Sequence, residues 1–140
     1  MSYTGQCNCG AVNAKIEGEP VAVRQCWCRQ CQKAAAGSAT TNAMFPTEAI
    51  TFHGALGSWS YEAASGNTLT QSFCANCGTP VMGQSSARPQ FRTLRVGFLD
   101  QAQGLKPQVI IWTDDAPEWA VIDPELPTFA RQPPPPPSQG

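Results

Sequence analysis

Short runs with strand character, broken at frequent intervals by glycine, proline and asparagine, fill most of this chain. Tyr3–Cys7 and Ala11–Glu17 predict two strands joined by the tight turn Cys7-Asn8-Cys9-Gly10, where Gly10 supplies the positive φ such a turn needs. Val21–Cys26 alternates weakly between apolar and polar positions and predicts a third strand. Ser38–Phe45, Thr51–Tyr61, Thr68–Phe73, Val81–Gln84, Phe91–Gly97 and Val109–Thr113 supply further strands. Turn signals at Gly54, Ser65-Gly66-Asn67, Gly104 and Pro107 punctuate them. Helix is confined to two short pieces: Arg29–Ala36, and Pro46-Thr47-Glu48-Ala49-Ile50 with its early proline.

Composition agrees with that pattern. Charged residues make up only 14% of the chain while Gly and Pro number 12 and 13, which suits short strands and many turns better than a helical bundle. The 140 residues bound the answer to one mainly β domain with a single modest core, residues 1–130. Residues 131–140 contain five consecutive prolines, Pro133 to Pro137, and no apolar anchor, which predicts a polyproline-like disordered tail. A net charge of -1 without any basic run argues against a nucleic-acid or membrane-surface partner. No apolar stretch approaches the roughly 18 residues that span a bilayer. The first residues, Met1-Ser2-Tyr3-Thr4-Gly5, lack the charged and apolar regions of a signal peptide, so a cytoplasmic location is expected.

The cysteines change the picture most. Seven fall in three tight clusters: Cys7-x-Cys9, Cys26-x-Cys28-x-x-Cys31 and Cys74-x-x-Cys77. An odd number so clustered suits metal better than disulfides, above all where thiols stay reduced. Zinc takes thiolates in tetrahedral array, and two cysteines separated by two residues reach one ion from a single turn. Spacing leaves the partners open. Cys28 and Cys31 with Cys74 and Cys77 would make a generic zinc ribbon and leave Cys7, Cys9 and Cys26 idle. Cys7 and Cys9 with Cys74 and Cys77 would use every cysteine, leaving Cys26, Cys28 and Cys31 as a separate site with three thiolates; economy favours this division.

The runs Gly5-Gln6-Cys7-Asn8-Cys9-Gly10-Ala11-Val12, Cys26-Trp27-Cys28-Arg29-Gln30-Cys31-Gln32-Lys33 and Phe73-Cys74-Ala75-Asn76-Cys77-Gly78-Thr79-Pro80 resemble the glutathione-dependent formaldehyde-activating family, which includes the centromere protein V domain. Ile111-Trp112-Thr113 and Pro117-Glu118-Trp119 are similar to its C-terminal segment, so the resemblance runs from Gly5 to about Phe129. It implies a zinc-binding β-tent domain with short helices, similar to methionine-R-sulfoxide reductases and Rab-binding zinc proteins. It further implies two zinc ions per chain: a structural one on Cys7, Cys9, Cys74 and Cys77, and an active-site one on Cys26, Cys28 and Cys31 with a position left open. The implied activity is that of a carbon–sulfur lyase-type enzyme forming S-hydroxymethylglutathione from formaldehyde and glutathione, with a small-molecule thiol as partner. The alternative is a zinc-dependent thiol-binding or protein-interaction module without catalysis. Many relatives carry His between the first two cysteines of the second cluster, where this chain has Trp27, so a proton donor must be sought elsewhere.

Three thiolates leave a zinc centre formally at minus one, so it is expected to collect and orient a sulfur more than to polarise a carbonyl. Outside the cysteines, His53 is the only histidine and reads as a turn or surface residue. Trp59 and Tyr61 share one strand face and read as core, as do Trp112 and Trp119. Arg88, Arg92 and Arg95 have the fork geometry for a peptide carboxylate, but solvated surface is the expectation for all three. Arg92 and Arg95 should lie on opposite faces of their strand. Ser38, Thr40 and Thr41 offer hydroxyls after the second cluster or simple strand packing.

Overall fold

The computed structural model describes residues 1–134, and two sheets account for its strands. In the first, β1 (Ser2–Gln6) pairs antiparallel with β2 (Asn13–Glu17), which pairs with β5 (Ile50–His53). Both β1 and β2 alternate exposed and buried residues without a break, the signature of a sheet with one face on a core. The second sheet is built from β3 (Ala22–Cys26), β4 (Thr40–Pro46), β6 (Leu56–Glu62), β7 (Thr68–Cys74), β8 (Pro80–Ser85), β9 (Phe91–Arg95), β10 (Val109–Ile111) and β11 (Thr128–Phe129). Its spatial order is β11-β10-β3-β4-β9-β8-β7-β6. One helix, α1 (Arg29–Ala34), follows β3, and four single-turn 3-10 helices complete the described elements.

The core fills the space between the sheets. Tyr3, Val12, Ala14 and Ile16 from the small sheet and its turn meet Val23, Ala43, Phe45, Met82 and Leu94 from the large one. The Tyr3 and Phe45 rings meet edge to face at 5.6 Å. Each large side chain buried this way contributes about 1.5–3 kcal/mol. The ion pairs among the described residues, Lys15–Glu17 and Arg131–Asp114, are exposed and contribute at most about 1 kcal/mol each. Apolar burial therefore holds the sheets together. The large sheet has a second face, which carries Arg24, Cys26, Asn42, Gln71, Thr93 and Arg95 and lines a cavity.

Most predicted strands form within a residue or two of their expected ends. The single strand expected over Thr51–Tyr61 is instead two, β5 in the small sheet and β6 at the edge of the large one. Gly54 makes the break: its φ is 104°, and a Cβ there would lie 2.1 Å from the Ala11 carbonyl oxygen. Only glycine allows the chain to leave one sheet so close to another backbone. The strand expected over Phe91–Gly97 ends at Arg95 and tightens into a 3-10 turn over Val96–Phe98. α1 ends at Ala34, followed by positive φ at Ala36 and Gly37. β11, unforeseen in the sequence, adds to β10 in parallel.

Of the segment expected as a tail, residues 135–140 lie outside the described residues. Within the rest, Pro133 is buried, and Gln132 Oε1 accepts a hydrogen bond from Trp112 Nε1 at 3.3 Å.

Candidate metal centres and the adjoining cavity

Cys7 and Cys9 come from the β1–β2 turn, Cys74 from the end of β7 and Cys77 from the turn after it, and the fold brings the four sulfurs within 4.8 Å of one another. The Cys7–Cys9 and Cys9–Cys74 sulfurs are 3.7 and 3.8 Å apart. Sulfurs placed about 2.3 Å from a central zinc in a tetrahedron are about 3.8 Å from each other, so this donor set fits that ion. Backbone donors converge on the same sulfurs. The Val12 N–H reaches Cys7 Sγ at 3.2 Å, and the Asn76 and Cys77 N–H groups each reach Cys74 Sγ at 3.4 Å. The Asn76 side-chain amide donates to Cys9 Sγ at 3.2 Å. Such donors favour the thiolate over the thiol. Gly78, with φ 79°, turns the chain back toward β8 behind the second pair.

Cys26, Cys28 and Cys31 form a second group, again within 4.8 Å of one another. Cys26 ends β3, Cys28 caps α1 by accepting the Cys31 N–H at 3.3 Å, and Cys31 sits in the first turn of the helix. Cys26 and Cys31 are buried while Cys28 is half-buried. Each group could hold a metal ion, the first with four sulfurs and the second with three. The ribbon pairing of Cys28 and Cys31 with Cys74 and Cys77 is not formed, and no cysteine stands outside the two groups.

The three-sulfur group opens onto a cavity of about 880 Å³ along the second face of the large sheet. A chain of polar side chains, drawn from four strands of the large sheet, leads from Thr40 across its floor. The Asn42 amide donates to Thr40 Oγ1 at 2.9 Å, and Arg95 Nη1 donates to Asn42 Oδ1 at 2.6 Å. Arg95 Nη2 donates to Gln71 Oε1, and Gln71 Nε2 reaches the Tyr61 hydroxyl at 3.4 Å. Gln71 lies on β7 and Arg95 on β9, so the contact passes over β8. It does so at Gly83, where an added Cβ would come within 3.1 Å of Gln71 Oε1. A glycine in this strand leaves room for the bridge.

The family described as glutathione-dependent formaldehyde-activating enzyme matches residues 2–115. The chain belongs to that family. A structural genomics crystal structure of a Rhodobacter sphaeroides protein is similar in fold: it has a TM-score of 0.57 and 22% identity, over 70% of this chain and 88% of that one. No curated protein sequence matches. No helix among the described residues is long and apolar enough to cross a membrane.

In this member of the glutathione-dependent formaldehyde-activating family, charge is shared unevenly among the three sulfurs. Hydrogen bonds from Cys26 and Cys28, aided by Thr40 and by the Arg95 charge, hold the Cys31 thiol down at about 3 against the effect of burial. Cys28 feels a lowering contact from Cys26, but its contact with Cys31 and burial outweigh this and push it up to about 11. Cys26 is pushed up by its hydrogen bonds to Cys28 and Cys31, with burial adding to them. At neutral pH the group therefore carries one thiolate and two thiols, and a metal ion must displace both remaining protons. Zinc uptake at this site is expected to release about two protons at pH 7, with apparent affinity rising up to about 100-fold per pH unit and falling as far on acidification. Calorimetric zinc titration in buffers of different ionisation enthalpy, on protein whose four-sulfur site is already filled, measures the release. A value near zero would contradict this charge distribution.

Several side chains stand where the sequence did not place them. Trp59 and Tyr61 do share a face and stack at 4.8 Å, but Trp59 is 51% exposed and Tyr61 lines the cavity, so neither is core. Trp112 also lines the cavity, against Cys26, Cys31 and Ile111, with a left-handed backbone at φ 60°. Trp119 is exposed. The expected surface arginines divide. Arg88 and Arg95 line the cavity, whereas Arg92 faces the other way and donates to Thr47 Oγ1 and the Pro89 carbonyl. Trp27, between the first two cysteines of the three-sulfur group, is buried and packs instead of lining the cavity. Its carbonyl accepts from Gln32 Nε2 at 2.7 Å. His53 is exposed at the end of β5, far along the chain from either sulfur group. Thr40 is buried beside Cys31, while Ser38 and Thr41 do not line the cavity.

Proposed function

We propose that this protein is a zinc-dependent carbon–sulfur lyase-type enzyme that joins formaldehyde to the sulfur of glutathione or another small thiol, or handles the resulting S-hydroxymethyl adduct. The observation that carries the reading is the unequal division of sulfurs: a complete set of four where turns of the two sheets meet, and an incomplete set of three at the wall of a large cavity. Family membership supports the substrates. In this reading Cys7, Cys9, Cys74 and Cys77 hold a structural zinc, and Cys26, Cys28 and Cys31 hold the reactive one. A zinc ion on three thiolates would supply one vacant position at which a substrate sulfur is bound as thiolate, lowering its pKa. The cytoplasm, where thiols stay reduced, is the proposed compartment.

The remaining chemistry belongs to the protein. The substrate sulfur attacks the formaldehyde carbon, a C–S bond forms, the C=O π bond opens, and the new alkoxide takes up a proton. Tyr61 is the donor of that proton in this reading. It lines the cavity, and its pKa is raised by burial and, against the Gln71 hydrogen bond, by negative charge on Cys28 and Cys31. Gln71 orients it and is itself fixed by Arg95, whose charge also favours thiolate at the three-sulfur group. The tyrosine thus stands in for the histidine that Trp27 replaces.

The test compares the rate of S-hydroxymethylglutathione formation with zinc-loaded protein, with Tyr61→Phe and with buffer alone. The wild type should exceed buffer, and Tyr61→Phe should lower that increment by at least about 10-fold with its metal content unchanged. A wild-type rate equal to buffer would reject the enzymatic reading and leave a thiol-binding module.

A further inference from the structure

Two arginines on the cavity have no carboxylate partner among the described residues. Arg24 lies on β3 two residues before Cys26, hence on the same face of the sheet, and Arg88 lies in the β8–β9 loop. Both line the cavity onto which Cys26, Cys28 and Cys31 open. Arg88 Nη1 is buried and has no hydrogen-bond partner among the described residues. Arg24 is half-buried and faces the neighbouring Arg88 guanidinium. The ion pairs among the described residues, Lys15–Glu17 and Arg131–Asp114, involve neither arginine. Glu62 and Asp115 are the carboxylates that line the same cavity, and neither makes an ion pair with Arg24 or Arg88. Arg95 and Arg92 differ in kind, since both are hydrogen-bonded within the protein. Two like charges sharing a partly desolvated wall raise the free energy of the empty cavity. An anion placed between them removes that cost.

We propose that Arg24 and Arg88 form an anion subsite that binds a carboxylate of the thiol substrate, so that the cavity selects a carboxylate-bearing thiol over a neutral one. The proposal rests on the thiol-binding reading above and adds a residue-level basis for substrate choice. Arg24 and Cys26 are two residues apart on an extended strand, about 7 Å. Two residues of extended peptide span the same distance. A cysteinyl peptide with its sulfur at the three-sulfur group is therefore long enough to present a terminal carboxylate to the arginine pair. Planar guanidinium forks match a carboxylate in two-point geometry, and burial strengthens each contact.

S-Methylglutathione, which has no free thiol, separates this subsite from the sulfur site. Calorimetry on the zinc-loaded full chain would compare it with its diethyl ester, and wild type with Arg24→Gln and Arg88→Gln. The acid should bind wild type about 10-fold or more tightly than the ester, and each variant should lose a similar factor for the acid while treating the ester as wild type does. Equal affinity for acid and ester in the wild type, a comparison needing no variant, would overturn the subsite. Binding of glutathione itself would then show whether the thiol reading survives without it. Glutathione should also bind more tightly than phosphopantetheine; the reverse order would assign the pair to phosphate and overturn the carboxylate assignment.

Discussion

Cys74→Ala is expected to leave little or no soluble, folded protein. Cys74 is almost fully buried at the end of β7, and its sulfur is hydrogen-bonded by the Asn76 and Cys77 N–H groups. With Cys77 it meets Cys7 and Cys9, which come from the small sheet, so the four-sulfur group ties the two sheets together at one end. A structural zinc bound there would contribute an apparent 10–16 kcal/mol, by the order of magnitude seen for small zinc domains. The net stability of a domain is about 5–15 kcal/mol, so loss of the ion removes most or all of it. Expression in the soluble fraction and a thermal melt check this. A soluble variant melting like the wild type would contradict the structural role of this group.

Cys28→Ser should behave oppositely: a folded chain that has lost its activity. Cys28 is half-buried at the cavity wall and caps α1 through its side chain. Serine is among the best residues for that cap, so the helix start survives the change. The three-sulfur group drops to two sulfurs, too few to hold an ion in competition with water, while the other four are untouched. Metal content should fall from two ions per chain to one with a melting temperature near that of the wild type, and S-hydroxymethylglutathione formation should fall to the buffer rate. Retention of the wild-type rate would show that the chemistry does not depend on this group.

The sulfur groups were the most legible part of the sequence: tight clustering marks all seven cysteines as metal ligands, while spacing leaves their partners open and economy and the family resemblance favour the division that the fold forms. The cavity was not legible, and the cause is the large sheet. Alternation along β3, β4 and β9 shows that one face is apolar, but not that the other face is covered. Arg95 therefore read as an ordinary solvent-facing position, and nothing singled out Arg24, Asn42 or Gln71, although all four line the cavity together. The converse error befell the aromatics. Trp59, Tyr61 and Trp112 read as core because large rings usually are, yet β6 is an edge strand and Trp112 lies at a left-handed turn just after β10. One usable signal was present: Gly83 inside a strand marks the point where the Gln71 side chain crosses over. The break at Gly54 was legible as a turn, but not as a change of sheet, which depends on how closely Ala11 approaches it.

Native mass spectrometry of gently purified protein, joined to zinc-edge X-ray absorption, tests the division of seven sulfurs into two metal sites most directly. The account predicts two zinc ions per chain, zinc–sulfur distances near 2.3 Å and seven cysteines free of disulfide. A metal-free chain, a single ion, or a mass lowered by cystine formation would contradict it.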